Sequence, residues 1–307
     1  MGYHIVHLIS LDQYFSIDQN RISIKSKEGC EKFVPIEDVA IVISATPRLT
    51  LTAAAISRLA ENNIPLLICD AKYMPSAIVA PCHKAVDTQL LRAQLALTQE
   101  FKDMLWRKIV KAKVKNQADA IAESKENYYK LIKLISSGND RKKPDIIEAS
   151  AAQIYWKYFF SSFKSREKTR QKRTRTGVNG LLDYGYAVMR SAVLRYLSIH
   201  GFITAVGIHH TNRERTFALA DDLMEPLRPF VDISVRKFIM ENNDNNFEPH
   251  KWLQAAGNIL TWNINISGKK MRLLYAFDYY VKSLAKAILS GREDCLKFPM
   301  TSEINKE

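Results

Sequence analysis

The chain has 307 residues, 47% of them hydrophobic and 10% aromatic, enough apolar material to fill a substantial core and to exclude disorder as the main state. Forty-five lysines and arginines against 32 acidic residues give a formal charge of +13, which makes a polyanion the first partner to consider. No apolar run approaches the roughly 18 to 20 residues that span a bilayer, and residues 1–10 lack the basic-then-apolar order of an export signal, so a soluble cytoplasmic protein with no membrane partner is expected. Cys30, Cys69, Cys82 and Cys295 form no C-x-x-C pair and no zinc spacing, as fits thiols in a reducing compartment.

Up to about residue 80 the pattern reads as short β segments punctuated by turns, at 4–10, 21–25, 39–44, 64–70 and 77–79. One helix interrupts them over 51–61, with Thr50 or Thr52 as N-cap and Asn62 and Asn63 as its stop. After Pro81 the period lengthens to that of helices. Leu90, Leu97, Phe101, Met104 and Leu105 share one side of a helix continuing to about Asn116, and Arg107, Lys108, Lys111, Lys113 and Lys115 form its basic rim. A second helix is predicted over 125–136, stopped by Gly138 and Asn139. Pro144 opens a third, with Asp145 in its first turn. A fourth runs over 181–199 to Gly201, a fifth starts at 219–225, and two or three more follow to about residue 290 around a loop at 242–246. The expected fold is therefore α+β. A small N-terminal β-sandwich with one helix occupies 1–83, a larger all-α domain 84–300, and a frayed tail 301–307.

Charge divides at the same place. Residues 1–88 carry 8 basic and 9 acidic side chains, and residues 89–307 carry 37 and 23. A charge serving solubility alone would be spread over both parts, so its confinement favours a binding face on the second. In the segment 164–175 seven of twelve residues are basic, namely Lys164, Arg166, Lys168, Arg170, Lys172, Arg173 and Arg175, and only Glu167 is acidic. Such a run suits a track for DNA phosphates; the plainer alternative is a solvated loop. Lys142, Lys143, Lys269, Lys270 and Arg272 extend the track.

Three places in the helical part suit chemistry. The apolar stripe of the third helix passes through Ile147, Ala151, Ile154 and Tyr158, so Glu148 lies at the edge of a close-packed small-residue face, where a carboxylate is partly desolvated and needs a partner; otherwise it faces water and favours the helix N-terminus. In Gly207-Ile208-His209-His210, adjacent extended residues point to opposite faces, so at most one histidine serves a given site. Asp222 and Glu225 stand three apart on one helix face, which suits two carboxylates aimed at one cation, and Pro226 should kink or end that helix. The bland counterpart is a charged turn at a helix end. Acids facing DNA repel it unless a cation lies between, so two acids and an imidazole in a basic domain favour Mg²⁺ or Mn²⁺ beside a phosphate.

The strings Glu148-Ala-Ser-Ala-Ala, Asn179-Gly-Leu-Leu-Asp183-Tyr184-Gly-Tyr186-Ala, Gly207-Ile-His-His210 and Asp222-Leu-Met-Glu225-Pro-Leu-Arg228-Pro resemble the CRISPR-associated spacer-acquisition integrases, the Cas-one family, and most of all its type II branch. The resemblance spans nearly the whole chain. It implies metal ligation and catalysis by Glu148, His210 and Glu225, with Asp222 and Arg228 as further site residues, and a one-residue shift would exchange His209 with His210. Asp183 departs from the family's usual Asn-Tyr-Gly-Tyr.

What the resemblance further implies is a metal-dependent DNA integrase or endonuclease of CRISPR adaptation. It would join the 3′-hydroxyl ends of captured double-stranded spacer DNA to a CRISPR repeat by transesterification, working with a small partner subunit of the Cas-two family and with other type II CRISPR proteins. The alternatives are a DNA-binding scaffold without chemistry and a nuclease that hydrolyses DNA at the same site. His210 has to be neutral to ligate a metal. Tyr184 and Tyr186, with apolar neighbours at helical spacing, are expected in the core. The near-neutral β part, with exposed strand edges and the family's habit of pairing, is expected to form a homodimer.

Overall fold

The computed structural model describes residues 4–10, 12–46, 48–70, 75–79, 87–136, 143–162, 167–171, 177–210, 216–242, 249–266 and 268–304. The expected domain boundary near residue 83 lies outside them, as do Lys164, Arg166, Lys172, Arg173, Arg175, Lys142 and Cys82.

Among the described residues the N-terminal part contains eight strands and one α-helix: β1 (His4–Leu8), β2 (Gln13–Asp18), β3 (Arg21–Lys25), β4 (Glu31–Pro35), β5 (Val39–Ser44), β6 (Leu49–Leu51), α1 (Ala53–Glu61), β7 (Leu66–Cys69) and β8 (Pro75–Val79). They form two four-stranded sheets, ordered β1-β5-β7-β8 and β4-β3-β2-β6, and Val6, Leu8, Phe15, Ile22, Val42 and Leu66 fill the space between them with Ala55 and Leu59 of α1. The sandwich expectation holds. Gln19 and Asn20, both at positive φ (44° and 64°), supply the tight reversal that pairs β2 with β3. Every residue of β5 is buried, because Val42 faces the opposing sheet while Ile41 and Ile43 face the helices. Arg195, far along the chain, ties the helical part to this strand by donating to the carbonyls of Val39 and Ala40.

The helical part contains α2 (Thr88–Leu95), α3 (Gln99–Ala120), α4 (Lys125–Leu134), α5 (Pro144–Ser161), α6 (Gly177–Ile199), α7 (Ala218–Met224), α8 (Arg228–Glu241), α9 (Pro249–Asn258) and α10 (Leu273–Ser290). The single helix expected to reach Asn116 is two, because Thr98 accepts from the Phe101 N–H and opens α3 afresh. Helix α6 is buried on nearly every side, as a central helix must be. A Cβ on Gly185 would lie 2.4 Å from a Val231 methyl, so glycine is what lets α6 and α8 cross so closely.

Two expectations are corrected. The second domain is not all-α: β9 (Asn263–Ile266) and β10 (Lys269–Arg272) form an antiparallel hairpin, too short to register against the helical period. Nor does fraying begin at 301. Thr301 is buried, its N–H donates to Asn116 at 2.9 Å, and Ile304 bridges to Ile264.

Candidate active site

Helices α3 and α5 and the turn that follows α7 meet around one ammonium. Lys113 lies on the buried side of α3, four residues beyond Ile109 and four before Gln117, so the helix period sends it inward with the apolar stripe. Its Nζ donates to Glu148 Oε1 and to Glu225 Oε2, each at 2.5 Å. The two carboxylate oxygens are thus no farther apart than twice that distance. Arg228 Nε donates to the second oxygen of Glu225 at 2.9 Å. Burial works to raise the Glu225 pKa, but Arg228 and Lys113 outweigh it and hold the carboxyl down to about 2. The same acids overcome the cost of burying Lys113 and keep it charged.

Asp222 and Glu225, read from sequence as two carboxylates on one face, take different partners. The α-helix ends at Met224 and passes into a 3₁₀ turn over Glu225–Leu227, since Pro226 has no N–H for the α pattern. Asp222 turns instead to the loop at 207–210. Its Oδ2 accepts from the N–H groups of Ile208 (2.6 Å) and His209 (3.0 Å), and its Oδ1 from the His210 N–H (3.2 Å). His210 Nδ1 lies 2.6 Å from that same Oδ1. A completely buried carboxylate thereby fixes the imidazole, and the ring nitrogen that remains to ligate is Nε2. Gly207 is required beside it: a Cβ there would come within 2.5 Å of the His210 carbonyl and 2.8 Å of Asp222 Oδ2. His209 takes another path, stacking on Trp106 with ring centroids 4.1 Å apart and planes within 1°. Its Nε2 lies 3.6 Å from Asp145. The extended pair expected from sequence is corrected: three successive N–H groups turn to one carboxylate because 208 and 209 bend, and the two imidazoles lie edge to face with centroids 5.5 Å apart.

Behind the acids lies a second polar layer. Asp232, on α8, accepts from the hydroxyls of Tyr155 at 2.8 Å and Tyr186 at 2.5 Å. Burial lifts its pKa to about 6 against the pull of those two hydroxyls and of Arg170 and Arg228. The Tyr186 ring carries the guanidinium of Arg228 at 4.7 Å and that of Arg170 at 5.5 Å from its centroid. Arg170 also pairs with Asp183 and donates to Asn179 Oδ1 at 3.0 Å, while Asn179 Nδ2 donates to the Thr169 carbonyl at 3.0 Å.

Glu148 and Glu225 are thus brought together, and neither is a solvated helix-end acid. His210 is held on the neighbouring turn, Asp222 is its anchor, and Arg228 contacts the site's own acid. Arg170, expected on DNA, is turned inward with its side chain 10% exposed; the Asp at 183, in place of the family's usual Asn, is its counter-charge. Lys168 is exposed. Tyr184 is buried as expected, and Tyr186 is buried but works in the polar layer. Lys113 escapes a sequence reading that places it on a solvated rim. The signal is there: a lysine four residues beyond Ile109 and three beyond Val110, on the side of the helix that the apolar residues mark as buried. Trp106, Tyr155 and Asp232 escape it too, as their roles depend on partners far along the chain.

Among the described residues, no three His, Cys, Asp or Glu side chains gather around a single point as a metal cage; an ammonium stands between the two acids. The donor types still suit Mg²⁺ or Mn²⁺, with two hard carboxylates close together and an imidazole already oriented by a buried acid.

The profile of the family described as "CRISPR associated protein Cas1" matches residues 6–258. A CRISPR-associated endonuclease Cas1 from Neisseria meningitidis serogroup C (strain 8013) is 30% identical over 286 residues, covering 92% of this chain and 91% of that one. Among solved structures, a casposase bound to integration product superposes with a TM-score of 0.82 at 21% identity, covering 99% of this chain and 95% of that one. A Cas6-RT-Cas1–Cas2 complex gives 0.79 at 20% identity, covering 99% of this chain and 36% of that one. At such identities the likeness to both structures is one of fold.

Proposed function

This chain belongs to the CRISPR associated protein Cas1 family, and we propose that it is a DNA endonuclease and integrase of CRISPR adaptation. In this reading a 3′-hydroxyl of a captured duplex attacks a phosphodiester at the edge of a repeat. One P–O bond forms and one breaks, the attacking hydroxyl loses its proton, and the departing 3′-oxygen gains one. The observation that carries the reading is the meeting of Glu148 and Glu225 at one cation position, beside an imidazole that Asp222 has already turned.

Glu148, Glu225 and His210 Nε2 would hold Mg²⁺ or Mn²⁺, which when bound supplies the positive charge that a phosphoryl transfer builds up negative charge against. Arg228 keeps Glu225 ionised, and Asp232 with Tyr186 keeps Arg228 in place. The type II assignment rests on the Asp222–Pro229 string and on the Neisseria relative. The casposase, solved with an integration product, supports joining as the reaction. The complex that includes Cas1 and Cas2 supports a small Cas2-type partner. A homodimer through the sandwich, and docking by other type II proteins, complete the proposal.

The shared name endonuclease favours hydrolysis as a second reaction, with water replacing the hydroxyl at the same site. The test is joining of a labelled duplex to a repeat-containing plasmid in Mn²⁺. Glu148→Ala and His210→Ala should each abolish both joining and cleavage while leaving duplex affinity in place. Undiminished joining by either variant would overturn this site, and a wild-type protein that binds the duplex but neither joins nor cuts it would be a DNA-binding scaffold.

A further inference from the structure

The strongest unexplained feature of the site is Lys113. A lysine with its side chain 10% exposed is held by two carboxylates at 2.5 Å, one of them itself 8% exposed. Burying an ammonium is costly unless its charge is fully matched. With Arg228 on the other oxygen of Glu225, two cations face two anions and the cluster is neutral. Insertion of a divalent ion between the same oxygens, with Lys113 in place, would set three positive charges beside an ammonium in a poorly solvated pocket. The ion and the ammonium therefore compete for one position.

We propose that Lys113 is the site's resident cation: it neutralises Glu148 and Glu225 while the metal is away, and it is displaced when the metal binds. This rests on the metal reading proposed above. A lysine suits the role because it is a compact charge on a flexible stem, and rotation about that stem moves the ammonium without moving the helix. The way out is on the Glu148 side, where that carboxylate's side chain is 28% exposed. An arginine there would be held by a planar fork and would leave less readily. Such an exchange keeps the acids ready without leaving two neighbouring carboxylates to repel each other, and it makes metal affinity weaker than the donors alone would give.

The experiment uses the full chain without DNA. Mn²⁺ binding is followed by electron paramagnetic resonance and thermal unfolding with and without Mn²⁺, for wild type, Lys113→Met, Lys113→Arg and the double variant Lys113→Met/Glu148→Gln. Lys113→Met should unfold at a lower temperature without metal, bind Mn²⁺ at least tenfold more tightly than wild type, and regain most of its lost melting temperature when Mn²⁺ is added. Lys113→Arg should bind no more tightly than wild type. The double variant removes one charge of each sign and should recover metal-free stability, a rescue that a purely packing role for the lysine stem does not produce. Should Lys113→Met prove unfoldable without metal, the double variant decides: failure to regain stability overturns the proposal. If wild type binds Mn²⁺ and Lys113→Met binds it no better, the exchange is wrong and the metal site stands. If no variant binds Mn²⁺, the metal reading itself fails and takes the exchange with it.

Discussion

Glu225 and Asp232 are both buried acids, yet their surroundings push them in opposite directions. Glu225 is held near 2 by two cations, so its contribution to stability is complete above its ordinary value of about 4.5 and is lost as the pH falls towards 2. Removal of that carboxyl in Glu225→Gln should erase an acid-side loss of roughly 3 kcal/mol, measured by urea denaturation across that window. Asp232 is lifted to about 6. The folded protein therefore holds its proton longer than the unfolded chain, and stability falls as the pH rises from about 4 to 6. Asp232→Asn should flatten that decline; an unchanged slope would show that the carboxyl does not titrate there. At Asp222 the issue is geometry. Asp222→Asn has one acceptor oxygen where three N–H groups and an imidazole need two, so His210 should loosen and Mn²⁺ affinity should fall by about 10- to 100-fold. Equal affinity would mean that His210 needs no such anchor.

Among the elements, the segment 167–171 separates two roles that one charge run suggests as a single role. Lys168 is exposed, whereas Arg170 is spent on Asp183, Asn179 and the Tyr186 ring. Neutralising Lys164, Lys168 and Lys172 should therefore lower the log-log salt slope of DNA binding by about 0.9 for each phosphate that no longer meets a lysine. Arg170→Gln should leave that slope alone and cost about 1–3 kcal/mol of stability, because it removes the guanidinium that pairs with Asp183 and donates to Asn179. Local signals make some of this legible. Thr52 caps α1 with a bond from the Ala55 N–H, and Pro144 opens α5, both short-range effects that sequence carries in full. The strands β2, β4 and β6 are not legible in the same way. β4 is a charged edge strand, Glu-Lys-Phe-Val-Pro, and β6 has only three residues, so neither shows a full alternation. For Lys113 the periodicity points correctly and the charge misleads, as its two partners lie 35 and 112 residues away. The two acids themselves stand out by motif; their common counter-ion does not, since spacing says nothing about what sits between two elements.

At the scale of the whole molecule, the near-neutral sandwich and the basic helical part have two cores that meet on opposite faces of β5. That arrangement buries one face of the sheet β1-β5-β7-β8 against helices, and leaves the outer face of β4-β3-β2-β6 open, with Phe33 52% and Tyr14 43% exposed. Tyr14, Ser16, Ser23 and Phe33 fall on that same face by strand register. Phe33→Asp should convert the proposed dimer to monomer in sedimentation while circular dichroism stays native; a dimer that persists would place the interface elsewhere. The distances along the chain between Lys113, Glu148 and Glu225 have one more effect. Nothing local to any of them can assemble the acid pair, so a polypeptide still emerging from the ribosome lacks the proposed site until the turn after α7 has been made and has docked on α3. On the proposed function, the cell is thereby spared half-built copies that already bite.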